Sequence, residues 1–199
     1  MLLRPMPSST ILVTGFGAFE RVDENPSGAL AQVLAADPGL ATRELPVTFR
    51  GSADALDEGL TEAPGPVSAI LCMGVHPGPS FRLERRARAT LSSDRPDNDG
   101  EAGAVISGAM GGGGADLETR FELEALAEAL RAAGAAEVEL SEDAGGYVCE
   151  RIYRHALVRG EERGIPALFL HVPPLAAVPL DHQLAVVRGL LEALRAQLR

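Results

Sequence analysis

A chain of 199 residues, 46% of them hydrophobic, can enclose one large core without a metal or disulfide framework. Its formal net charge of −10, carried by interspersed acids and bases, repels phosphate backbones and anionic lipid, so neither nucleic acid nor a membrane surface is expected as a partner. Only two cysteines occur, Cys72 and Cys149, with no Cys/His ligand spacing around them; this argues against a disulfide scaffold and a structural zinc site, and for a reducing cytoplasmic location.

The opening segment MLLRPMPSST is too short and too proline-broken for a signal peptide. Residues 1–9 read as a tail before a single domain over 10–199. No apolar run approaches the roughly 20 residues a membrane helix needs. Thr10–Phe16 (TILVTGF) reads as a buried strand, and Pro26–Leu34 as a helix entered through Asn25 as N-cap with Pro26 in its first turn. Thr42–Thr48 is expected to form a second strand, followed by a helix over Ser52–Thr61. Val67–Met73 (VSAILCM) is a fully apolar strand between Pro66 and Gly74. Residues 74–118 read as irregular, rich in Gly, Pro, Asp and Arg, and include the run Gly111–Gly114. A segment of that length in a compact domain is functional or mobile, and has room for a hairpin. Apolar residues at 3–4 spacing predict a helix over Leu117–Ala133, stopped by Gly134. A strand over Ala136–Leu140, a helix over Tyr147–Glu161, a buried strand over Ala167–Val172 and a last helix over Leu180–Leu198 complete the chain. This alternation predicts an α/β sheet covered on both faces.

Open α/β sheets bind ligands beyond the carboxyl ends of their strands. By chain order, Gly15–Glu20, Gly74–Glu84, Asp143–Cys149 and His171 with Pro173 lie there, and they bring a thiol, an imidazole, a carboxylate and two phenylalanines. Cys149 follows the turn Ala144-Gly145-Gly146 and stands in the first turn of a helix, where unpaired N–H groups favour a thiolate and lower the thiol pKa. The same groups can receive an oxyanion. The plainer reading of such a cysteine is a small buried hydrophobe, and Cys72, inside an apolar strand, is expected to be that. His171 ends a buried strand, where it either satisfies a local hydrogen bond or serves as a general base. His76 and His155 read as loop and helix-surface residues, and His182 as the start of the last helix. Glu84 lies in the charge run FRLERR, ordinarily a solvated face; the alternative is a carboxylate that orients His171. Gly15-Phe16-Gly17 lacks the third glycine of a dinucleotide fingerprint, and Gly111–Gly114 lacks the Gly-Lys-Ser/Thr of a phosphate loop.

Four segments together resemble the pyrrolidone-carboxylate peptidases, over essentially the whole chain from Ile11. They are Ile11–Phe19 with Asn25-Pro26-Ser27; Glu84-Arg85 with Pro96-Asp97-Asn98-Asp99-Gly100; Asp143–Cys149; and His171-Val172-Pro173. The resemblance implies a three-layer αβα sandwich around a mostly parallel, mixed sheet, with Cys149, His171 and Glu84 as the catalytic set. It also implies a pocket for a pyroglutamyl ring from Phe16, Phe19 and Tyr147, with Gly74, Val75 and Asn25 beside it. Substrates would be peptides with N-terminal pyroglutamate, no metal or organic cofactor would be needed, and a homo-oligomer, often a tetramer, would be the assembly. The chain departs from the family pattern near this site. Val75 replaces a glutamine, Ala87-Arg88-Ala89 an Ala-x-Asn, and Asp94 an arginine that the adjacent Arg95 could stand in for; Glu150 replaces the asparagine after the cysteine. These departures keep two other readings open: a relative that hydrolyses another amide or thioester, and a protein that binds pyroglutamyl groups without turnover.

Overall fold

The computed structural model describes residues 9–19, 25–91, 93–103 and 114–199. Residues 1–8 of the expected tail, Glu20, and Gly111–Gly113 of the glycine run lie outside the described residues.

The chain begins with β1 (Thr10–Phe16), α1 (Pro26–Leu34), β2 (Leu40–Leu45), α2 (Gly51–Glu62) and β3 (Val67–Val75). The stretch from 74 to 118, read from sequence as irregular, instead carries most of the short strands. These are β4 (Phe81–Glu84), β5 (Arg86–Ala87), β6 (Ser93–Pro96), β7 (Ala102–Gly103) and β8 (Leu117–Glu118). Then follow α3 (Leu123–Ala132), β9 (Val138–Ser141), α4 (Val148–Arg163), β10 (Ala167–Val172) and α5 (Leu180–Gln197). The expected helix over Leu117–Ala133 therefore starts only at Leu123, because Leu117–Glu118 pairs antiparallel with β5. The expected second strand sits earlier in the chain, at Leu40–Leu45, in parallel register with β1. The anticipated hairpin is β6–β7.

The main sheet has the order β2-β1-β3-β10-β4-β9. β2, β1, β3 and β10 run parallel; β4 pairs antiparallel with β10 and parallel with β9, so the last two strands are reversed. Alternate residues of each strand point to opposite faces. On one face Val13, Leu71, Leu83 and Leu170 pack with α1, α3 and α5. On the other, Ile70, Cys72 and Phe169 pack with α2 and α4. Helices cover both faces, which makes the three-layer αβα sandwich. No described helix is long and apolar enough to cross a membrane.

Candidate active site

Five elements deliver the site residues to one end of the sheet. β1 ends in Phe16, and the chain after it is pinned by Asn25, which caps α1 by accepting from the Ser27 N–H at 3.1 Å. The Asn25 amide donates to the Gly17 carbonyl at 3.1 Å, and Ser27 Oγ accepts from the Phe16 N–H at 3.0 Å. A Cβ at Gly15 would run into the Ser27 carbonyl, so this glycine serves the close approach of α1 to β1.

β3 and β10 supply the next pair. His171 lies opposite Gly74 in the parallel register. A side chain at Gly74 would stand 2.9 Å from Cys149 Sγ and 2.9 Å from the Phe169 ring, so only glycine leaves room for the sulfur. The His171 ring stacks at 4.7 Å on Phe169, which sits two residues earlier on the same face.

Glu84 enters from the reversed strand. Because β4 runs against β10, its last residue pairs with Phe169, next to His171 on the same face. The Glu84 carboxylate accepts from His171 Nδ1 at 2.7 Å, with the acid fully buried and the imidazole nearly so. FRLE is thus no solvated charge run: Phe81 and Leu83 fill the apolar face, while Arg82 and Glu84 point to the site. Arg82 Nε lies 3.9 Å from the same carboxylate.

Cys149 occupies the first turn of α4, as the sequence suggested. Tyr147, the N-cap, makes no side-chain capping bond, so the first N–H groups of the helix have no side-chain cap. The preceding turn relies on glycines with positive φ, 96° at Gly145 and 64° at Gly146. The expected depression of the thiol pKa does not occur. Burial, followed by the Glu84 and Glu150 carboxylates, pushes the Cys149 thiol up to about 12, and Arg95 pulls it back only in part. The helix end is outweighed by desolvation and by two acids, Glu150 next in the sequence and Glu84 brought in by β4. Cys72 is completely buried and likewise pushed up to about 12 by burial, in keeping with a core role.

A cavity of about 230 Å³ opens above these residues, lined by Phe16, Phe19, Val75, Tyr147, Cys149 and His171 among others. Its wall includes Asn25, whose amide is already committed to Gly17 and Ser27. Arg95 borders it with its guanidinium 4.6 Å from the Tyr147 ring centre and 5.4 Å from that of Phe19. Of the other histidines, His76 also lines the cavity and contacts the Ser80 carbonyl at 2.6 Å. His155 is not on the surface but nearly buried, 3.1 Å from Asp57 on α2. His182 lies in the first turn of α5, as expected.

Asp97 and Asn98 are a part of this site that sequence reasoning treated only as a motif. Asp97 accepts from Phe49 N–H at 2.8 Å with one oxygen and from the Asp99 and Glu101 N–H groups at 2.9 and 3.0 Å with the other. Asn98 donates to the carbonyls of Val47 and Ala18, at 3.0 and 3.3 Å. Tyr147 hydroxyl then donates to the Pro96 carbonyl at 2.9 Å. The β6–β7 turn is thereby fastened to both sides of the cavity. Its signal was the Asp-Asn-Asp-Gly sequence, typical of a turn whose own side chains cap its backbone.

Comparison with known proteins bears on the family and the fold. Residues 9–195 match the model of the pyroglutamyl peptidase family. The chain is 36% identical over 183 residues to a pyrrolidone-carboxylate peptidase of Deinococcus radiodurans, covering 86% of this chain and 81% of that one. The pyrrolidone carboxyl peptidase structure from Fervidobacterium islandicum AW-1 superposes with a TM-score of 0.82 at 30% identity, covering 94% of this chain and 99% of the other. That from Thermus thermophilus gives 0.79 at 32% identity, covering 92% and 99%. With its fold, the match along nearly its full length and these relatives in agreement, the chain belongs to the pyroglutamyl peptidase family, the cysteine peptidases of pyroglutamyl-peptidase I type.

Proposed function

We propose that the chain removes pyroglutamate from the N-terminus of peptides, with Cys149 as nucleophile, His171 as general base and acid, and Glu84 as the group that orients the imidazole. The observation that carries this reading is the buried 2.7 Å contact between Glu84 and His171 beside the cavity that Cys149 lines. A carboxylate only accepts, so Nδ1 holds the proton and Nε2 is the basic nitrogen. The raised thiol pKa sets the order of events: the sulfur rests protonated, and its proton passes to Nε2 as the sulfur attacks.

In this mechanism the S–C bond forms at the pyroglutamyl carbonyl carbon, and the carbonyl electrons move to oxygen. The N–H groups of the first turn of α4 receive that oxyanion. When the intermediate collapses, the C–N bond breaks and the leaving amine takes the proton from His171. Water, deprotonated by the same imidazole, then cleaves the thioester and returns the thiol. The ring of pyroglutamate has no charge, which suits the apolar part of the cavity wall formed by Phe16, Phe19, Val75 and the Tyr147 ring.

Release of a chromophore from a pyroglutamyl-aminoacyl substrate tests the assignment. Cys149→Ser should abolish it and Cys72→Ser should not. Equal residual activity in the two variants would remove Cys149 from the mechanism.

A further inference from the structure

Glu150 follows the proposed nucleophile and has no solvent exposure. In the resemblance noted above, this position holds a neutral asparagine. A buried carboxylate needs a counter-charge, and Arg88 supplies it from the segment after β5. One oxygen of Glu150 accepts from the Arg88 N–H at 2.7 Å, and the other from Arg88 Nε at 3.1 Å and Nη2 at 3.1 Å. The same Nη2 reaches Asp143 Oδ1 at 2.8 Å, and that oxygen accepts from the Gly145 N–H at 2.8 Å. The chain of contacts runs from the residue after the cysteine to the turn before it. Asp143, Ala144 and Gly145 all border the cavity.

From this geometry we infer that Glu150 and Arg88 form a positioning pair, which holds the Asp143–Gly146 turn against the start of α4 and sets the charge beside Cys149. The inference rests on the cysteine mechanism proposed above. Other groups facing the sulfur are Glu84 on β4, His171 on β10, Cys72 on β3 and Arg95 on β6, and the substitutions below leave all of them unchanged. One of this chain's departures from the family pattern, Glu150, thus meets Arg88, which stands at the unconstrained position of the Ala-x-Asn segment.

The test compares Glu150→Gln and Arg88→Met in the full chain by the rate at which iodoacetamide labels Cys149 at pH 8, read by mass spectrometry. Glu150→Gln removes a negative charge near the sulfur and should speed labelling by about three- to tenfold. Arg88→Met takes the guanidinium away from that charge, leaving it the backbone N–H and the more distant Arg154, and should slow labelling by about three- to tenfold. Pyroglutamyl turnover should fall in both, because both loosen the turn. A pair with a merely structural role would move the two labelling rates in the same direction, and rates of the same sign or unchanged rates overturn the inference. Arg88→Lys keeps a cation beside the buried Glu150 and should label at close to the wild-type rate, while unaltered labelling in Arg88→Met would refute the pair. Wild-type protein without pyroglutamyl turnover would count against the substrate, while the labelling comparison would still decide the pairing.

Discussion

The two faces of the central sheet are built from the same strands and do different work. On the α1/α3/α5 face, β3 presents Ala69, Leu71 and Met73, and β10 presents Leu168, Leu170 and Val172, all fully buried and apolar. On the α2/α4 face the same strands present Ile70, Cys72 and Gly74, and Ala167, Phe169 and His171. Along each strand on that second face, side chains pass from plain core at the amino end to a reactive or space-making residue at the carboxyl end. The first face is a packing surface throughout. The second is a packing surface for most of its length and then gives up packing to admit a sulfur, an imidazole and a carboxylate. A single-residue slip in register would exchange the two sets, so the apolar residues of the first face fix where the second face places its chemistry.

That contrast can be broken most sharply at Gly74. Gly74→Ala sets a methyl group 2.9 Å from the sulfur and from the Phe169 ring, and the sulfur or the ring must shift. A displacement near 1 Å at a reacting atom costs about 100-fold in kcat/KM, so activity should fall by about that much while the folded protein persists. Wild-type kinetics in this variant would show that the glycine is not needed for the sulfur. Leu170→Ala, one residue before the strand partner of Gly74 and on the opposite face, should do the reverse. It should cost about 2–5 kcal/mol in denaturant unfolding through the cavity it leaves, with kcat/KM of the folded fraction preserved. Loss of activity without loss of stability there would erase the distinction between the faces.

The smallest effect concerns alkaline pH. Both cysteines lie on the site face, and both have their pKa raised from 9.0 to about 12. Between those values the unfolded chain gives up thiol protons that the folded chain keeps, so the folded state binds more protons and stability falls as pH rises. Urea unfolding should show that decline beginning above about pH 9, and Cys72→Ala should make it shallower. A decline of equal slope in that variant would mean that Cys72 has no part in it.

The parts of this architecture that could be read from sequence are those encoded locally. β1, β3 and β10 announce themselves as apolar runs, and α1 by Asn25 and Pro26 at its entry. β4 was obscured because four residues alternating Phe, Arg, Leu and Glu can equally be a surface segment, and only pairing with β10 and β9 decides between them. His155 was misplaced for a related reason: its partner Asp57 lies on another helix, and nothing in the sequence joins them. The residues of the proposed catalytic set were each identifiable as candidates, and their order and spacing gave the family. Their electrostatics were not. The direction of the Cys149 pKa depends on burial and on Glu84, brought in by a reversed strand from far along the chain. The departure at Glu150 read as a lost polar group, and only its contact with Arg88 shows the new charge to be paired.

Rapid acid quenching of the enzyme during turnover of a pyroglutamyl peptide, followed by digestion and mass spectrometry, tests the central claim directly. The peptide that contains Cys149 should carry one pyroglutamyl group as a thioester, and Cys149→Ala should show neither the adduct nor turnover. A pyroglutamyl adduct on any other residue, or continued turnover in that variant, would contradict the account.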